Sequence, residues 1–122
     1  MPDLCVKEQR SVERRRVHWQ TIVVFDEVPG RPSIGGETLN LAADGAAVLV
    51  GRNVPDKGHV TLLLKVPPIK ASAPQQTIQI SSRIVGVVLS PQVKGFRLGL
   101  HFLKFMNDDE KHLLESRLIG NG

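Results

Sequence analysis

From Thr21 onward the chain falls into short apolar runs separated by Gly, Pro and Asp. Thr21-Ile22-Val23-Val24-Phe25 is β-branched and aromatic, the composition that fits a pleated, half-buried surface. Residues 37–41, 46–50 and 59–66 read as three further strands, the last stopped by Pro67-Pro68. Residues 77–88 are long for one strand, with alternation visible at Ile78, Ile80, Ser82 and Ile84. Gly86 within that run predicts a bulge or bend. Residues 95–102 form the last strand. Between these runs, residues 26–36 read as a loop because they hold Pro29, Gly30, Pro32, Gly35 and Gly36. Asp44-Gly45 is a hairpin-turn dipeptide, and Ser90-Pro91-Gln92 is a second turn.

Only the end of the chain changes period. Asn107-Asp108-Asp109-Glu110 places an N-cap residue three before a Glu, with acids where the helix dipole favours them. Leu114 and Leu118 share a face, and Gly120 and Gly122 end the pattern. A helix over about 107–119 is marginal alone, so its leucines must dock on the sheet. Close-spaced strands followed by one helix predict a mainly β fold, a small barrel with a C-terminal helix packed on it. Phe102 and Phe105 are expected beneath that helix, and His101 is expected to face away from the core.

The first twenty residues break this pattern, being polar and charged with few positions able to reach a core. They read as a flexible basic arm, residues 1–20, ahead of a domain spanning 21–122. The chain of 122 residues carries 16 Lys and Arg against 12 Asp and Glu, a net charge of +4. From Lys7 to Arg16 five basic residues face two acids, so a local +3 sits in ten residues. Three adjacent arginines, Arg14, Arg15 and Arg16, supply planar charged forks suited to phosphates and to the acceptor edge of guanine. The excess charge points to an anionic partner.

Other chemistry is thin. A single cysteine, Cys5, cannot close an internal disulfide, which suits a reducing compartment. No signal-peptide pattern or membrane-length apolar run is visible, so the protein is expected to be cytoplasmic without membrane insertion. His18, His59, His101 and His112 lack metal-ligand spacing. No nucleophile elbow, Walker loop or redox Cys pair is present, so neither enzyme activity nor a cofactor is expected. Single-stranded nucleic acid is weighed as a partner of the basic arm, but Phe25, Phe96, Phe102 and Phe105 do not form a stacking row.

Three stretches then occur in a telling order. Glu13-Arg14-Arg15-Arg16-Val17-His18-Trp19 precedes the first strand, and Asn40-Leu41-Ala42-Ala43-Asp44-Gly45 spans the second strand's end and its turn. Arg97-Leu98-Gly99-Leu100-His101-Phe102 ends the last strand before an acid-opened helix. The arrangement resembles the PilZ domain, over residues 13–118. The resemblance implies a six-stranded antiparallel β-barrel with a C-terminal α-helix. It also implies a bacterial receptor for cyclic di-GMP that passes its signal to a downstream protein in motility, exopolysaccharide or attachment control.

In that family an Arg-x-x-x-Arg motif on the arm and an Asp/Asn-x-Ser-x-x-Gly motif hold the ligand. Carried over by position, Arg15 takes the first arginine, flanked by Arg14 and Arg16, and the second falls on Trp19. Asn40 and Gly45 match the second motif, while Ala42 replaces its serine. Arg10 and Arg14 also have the arginine spacing, in a register farther from the first strand. The candidate ligand residues are therefore Arg14, Arg15, Arg16, Trp19, Asn40, Ala42 and Gly45, with Arg10 in the shifted register. Trp19 could stack on a guanine or sit in the core, and replacing it with Arg is expected to strengthen binding. The two departures keep open a nucleotide-free adaptor acting through protein contacts alone.

Overall fold

A computed structural model describes residues 15–91 and 94–120. Six strands follow in chain order: β1 Gln20–Phe25, β2 Ser33–Leu41, β3 Gly45–Val50, β4 Gly58–Val66, β5 Gln76–Ser90 and β6 Gly95–Phe105. One helix, α1 Asp108–Gly120, ends the described chain. The strands close in the order β1-β2-β3-β6-β5-β4, with β4 returning to β1, every pair antiparallel. The expected six-stranded barrel with a terminal helix is the observed fold. Closure matters because it pairs edges that would otherwise present unmet backbone groups.

Alternation places the core. Val60, Leu62, Leu64 and Val66 of β4 point inward, as do Ile78, Ile80 and Ile84 of β5 and Leu98 and Leu100 of β6. All are almost fully buried, and Val48, Val50 and Leu41 fill the space between them. Aliphatic side chains do most of this filling, as a chain with four Phe and one Trp requires.

Two expectations about boundaries are corrected. Residues 33–36, read as loop from their glycines, belong to β2 and pair with β1 through Gly36–Thr21, Gly35–Ile22, Ile34–Val23 and Ser33–Val24. Gly36 is glycine because β3 passes close by. A Cβ there would lie 2.6 Å from the Leu49 carbonyl oxygen. The long fifth strand is longer than expected, reaching Ser90, and its register slips between Ile84 and Gly86, where the bulge was anticipated.

The helix docks as its leucines require. Leu114 and Leu118 are buried, and beneath them Phe102 and Phe105 meet edge to face at 5.9 Å. Asn107 caps the helix, its Oδ1 accepting from the Glu110 amide at 2.9 Å. Glu110 has a different task from the reciprocal cap its spacing suggested: its carboxylate accepts the Gln79 backbone N–H of β5 at 2.8 Å. At the other end the Arg117 guanidinium donates to the Pro67 carbonyl at 2.6 Å. Helix and barrel are thus joined by apolar burial and by a polar tie near each end.

Candidate functional site

The segment that leads into β1, residues 15–19, is bound to the barrel. Arg15 and Leu41 exchange both backbone hydrogen bonds, each 2.8 Å, in an isolated antiparallel bridge. Three residues back along β2, Thr38 holds the other end. Its amide donates to the Trp19 carbonyl at 2.9 Å, and its hydroxyl accepts the Trp19 N–H at 2.7 Å. The same hydroxyl donates to the Val17 carbonyl, and His18 Nδ1 lies 3.1 Å from the Thr38 carbonyl. Thr38 is completely buried, so these bonds are shielded from competing water. The strap is therefore fastened at both ends by backbone groups and one threonine.

Opposite the strap, β2 carries a bulge between Thr38 and Asn40. Thr38 pairs with Val48 and Leu41 with Ala46, and all four are buried. Asn40, between them, pairs with Ala47, in the row that continues to Gly99. The extra residue, Leu39, shifts the inward–outward alternation so that Asn40 is turned to the outer face. Re-aiming one side chain is what bulges beside binding sites do. On β6, Arg97 stands outward between the buried Leu98 and the half-buried Phe96, paired with Leu49 of β3.

Strap, bulge and β6 enclose an open groove of about 430 Å³ lined by Arg15, Arg16, His18, Leu39, Asn40 and Arg97. Three guanidiniums and an imidazole face it, and among the described residues no carboxylate lines it. A concave surface with one sign of charge concentrates anions. Its polar groups suit a planar ligand with acceptor edges and phosphates, because each guanidinium offers paired N–H donors. The only described group with a clearly displaced pKa lies elsewhere: a hydrogen bond with His59 holds the Glu27 carboxyl below its ordinary value. Among the described residues no group of three His, Cys, Asp or Glu could hold a metal ion. No helix among them is long and apolar enough to cross a membrane.

Of the residues singled out from sequence, Arg15, Arg16 and Asn40 come together in this groove. Arg10 and Arg14 lie outside the described residues. Trp19 does not face the groove. It is 5% exposed and belongs to the barrel core, so it presents no face on which a base could stack. Ala42 is fully buried, its N–H donating to the Gly45 carbonyl at 2.9 Å across the β2–β3 turn. Gly45 is also buried and pairs with His101. These two shape the turn without lining the groove. Sequence reasoning missed His18, Leu39 and Arg97 as groove residues. Arg97 could have been found, since it sits at an outward position of a strand already recognised. Leu39 and His18 depend on the bulge and on the strap's bonds, which leave no mark in a single sequence.

No family profile and no curated protein matches the chain in sequence. Solved structures do match in shape. The inhibitor of motility MotI/DgrA from Bacillus subtilis aligns at TM-score 0.70 with 16% identity, over 92% of this chain and 51% of that one. The PilZ domain of YcgR from Escherichia coli, solved with c-di-GMP, aligns at 0.64 with 9% identity, over 92% and 90%. The MrkH–c-di-GMP complex from K. pneumonia aligns at 0.59 with 15% identity, over 90% and 51%. The chain thus spans about half the length of the MotI and MrkH chains and nearly all of the YcgR domain. At these identities the likeness is one of fold, and the fold is the PilZ-type barrel expected from the sequence.

Proposed function

We propose that this chain is a PilZ-type signalling module that takes cyclic di-GMP into the groove between the strap and the barrel and hands the bound state to a partner protein. The observation that carries the reading is the convergence of Arg15, Arg16, Arg97, His18 and Asn40, from three separate segments, in one groove whose described lining holds no acid. It is supported by two neighbours of the same fold that were solved with c-di-GMP. Arginine forks would grip guanine O6/N7 edges and phosphates, and Asn40 would supply a neutral donor and acceptor. Arg14, which precedes the strap, belongs to the same proposed clamp, and Arg10 to its shifted-register version. The module is a cytoplasmic receptor in this reading and not an enzyme. Control of motility fits a fold shared with an inhibitor of motility.

Calorimetric titration with cyclic di-GMP tests the proposal. Saturable heat is expected, with Arg15→Ala weakening binding by about tenfold to a hundredfold, one bidentate contact's worth. Absence of heat up to about millimolar ligand, a binding energy near 4 kcal/mol, would end it.

The placement of Trp19 and Ala42 favours one second reading, a nucleotide-free adaptor. The two positions that depart from the family motifs, those of the second arginine and the serine, hold buried apolar side chains. An adaptor would give no heat and would keep its partner after Arg15→Ala.

A further inference from the structure

The barrel's pairing is incomplete along the far end of β5. β5 pairs with β4 only from Gln76 to Ile84, yet it continues along β6 as far as Ser90 opposite Gly95. β6 in turn is covered on its far side by β3, out to Phe96 opposite Val50. Residues 85–90 are therefore the edge of a local sheet β3-β6-β5. Among the described residues nothing pairs with that edge. Val85, Val88 and Leu89 are 60%, 63% and 64% exposed. Val88 and Leu89 are consecutive and so point to opposite faces, which leaves both faces of the strand open.

Natural sheets protect such edges with lysine, proline, inward charges or a covering element. The run Val85-Gly86-Val87-Val88-Leu89-Ser90 has no charge and no proline. We propose that this edge is an interaction surface for a second copy of the same chain, the two β5 ends pairing antiparallel about a twofold axis. The stretch is self-complementary in that arrangement: a register centred on Val87 sets Val85 opposite Leu89 and Gly86 opposite Val88. An uncharged edge offers a charged partner nothing to read. It is also a place where two chains of net charge +4 can meet without opposing like charges directly. The pairing would extend each local sheet into one that runs β3-β6-β5 and then β5-β6-β3 of the partner copy. Arg97 is the direct neighbour of Val88 on β6, so the seam lies one strand from the groove.

Size sets the strength. Six extended residues span roughly 20 Å, and such a strip falls short of the ~800 Å² per partner of a standard stable interface. The dimer is thus weak and reversible.

Sedimentation velocity on the full chain, from about 10 µM to 1 mM, should show the mass rising from monomer towards dimer, as a sub-standard interface predicts. Val88→Lys and Leu89→Lys, both at exposed positions, should each remain monomeric across that range with unchanged thermal midpoints. Amide exchange at those of residues 86–90 whose N–H points away from β6 should slow as wild-type concentration rises. A wild type that stays monomeric at the top concentration overturns the proposal, as do lysine variants that associate like wild type. Protection of these amides that is already complete at the lowest concentration also overturns it, because another part of the same chain would then cover the edge.

Discussion

Two terminal segments lie on the same barrel and are attached in opposite ways. The helix α1 is held by its side chains: Leu114 and Leu118 vanish into the surface over Phe102 and Phe105. The strap of residues 15–19 is held chiefly by its backbone, through the Arg15–Leu41 bridge and the bonds to Thr38, with Trp19 as its one deep anchor. The difference decides what each segment can do. Docking by side chains consumes the chemistry of those side chains, and α1 becomes part of the core. Docking by backbone leaves Arg15, Arg16 and His18 lining a groove. A ligand-binding segment has reason to be fastened in the second way.

The sharpest way to break this comparison is at Trp19, where the strap does use a side chain. Trp→Ala in a core typically costs about 3–5 kcal/mol, a large part of a small domain's stability. Trp19→Arg must also bury a charge and is expected to cost at least as much. The structure therefore reverses the expectation that arginine at this position would strengthen binding. Chemical denaturation should show loss of a cooperative transition or a much lower midpoint. If Trp19→Arg instead remained fully stable and bound cyclic di-GMP more tightly, the anchor would be dispensable and the strap would be held by backbone alone.

At the other segment, Leu114→Ala empties a completely buried site and should cost about 2–5 kcal/mol. Its effect on the groove should be slight when binding is measured where the variant is still folded, because α1 contributes no groove residue. A parallel loss of ligand affinity would show that helix and strap are coupled through the barrel and are not independent attachments.

Thr38→Val keeps the shape and removes the hydroxyl that bonds both Trp19 and Val17. Orphaning buried groups in this way costs about 1–3 kcal/mol. The loss should be local: amide exchange at residues 17–19 accelerates, ligand affinity falls, and the barrel's core amides stay protected. If exchange rose uniformly, Thr38 would belong to the core's stability and not to the strap's fastening.

Much of this organisation was legible in the sequence, and where it was not, the reason is physical. Strands such as 59–66 announce themselves because period-2 alternation and β-branching agree. The helix was legible because Asn107 and Glu110 flank its start, although Glu110 bonds to Gln79 of β5, a partner 31 residues away that local spacing cannot reveal. Residues 33–36 were misread because glycine punctuates loops, whereas here Gly36 answers to the close approach of β3. The groove was half legible. Arg15, Arg16 and Asn40 follow from motif positions, but Arg97 and Leu39 reach it through strand closure and a bulge. Trp19 had two readings, and only the burial of its ring chooses the core.

The smallest expected effect on stability is at Arg97, and it tests the comparison from the ligand's side. Arg97 is exposed, on the outer face of β6, and among the described residues its side chain makes no hydrogen bond or ion pair within the barrel. Arg97→Ala should therefore leave stability within about 0.5 kcal/mol of wild type. Cyclic di-GMP affinity should nonetheless fall by about tenfold to a hundredfold, since a bidentate contact contributes ~1–3 kcal/mol. Arg97→Lys keeps the charge but loses the planar fork, and should recover only part of the affinity. Full recovery by lysine would mean that the groove reads charge alone. Equal losses of stability and affinity in Arg97→Ala would mean that β6 needs this arginine for its own fold. Loss of affinity without loss of stability is the pattern expected of a side chain that the barrel positions and does not use.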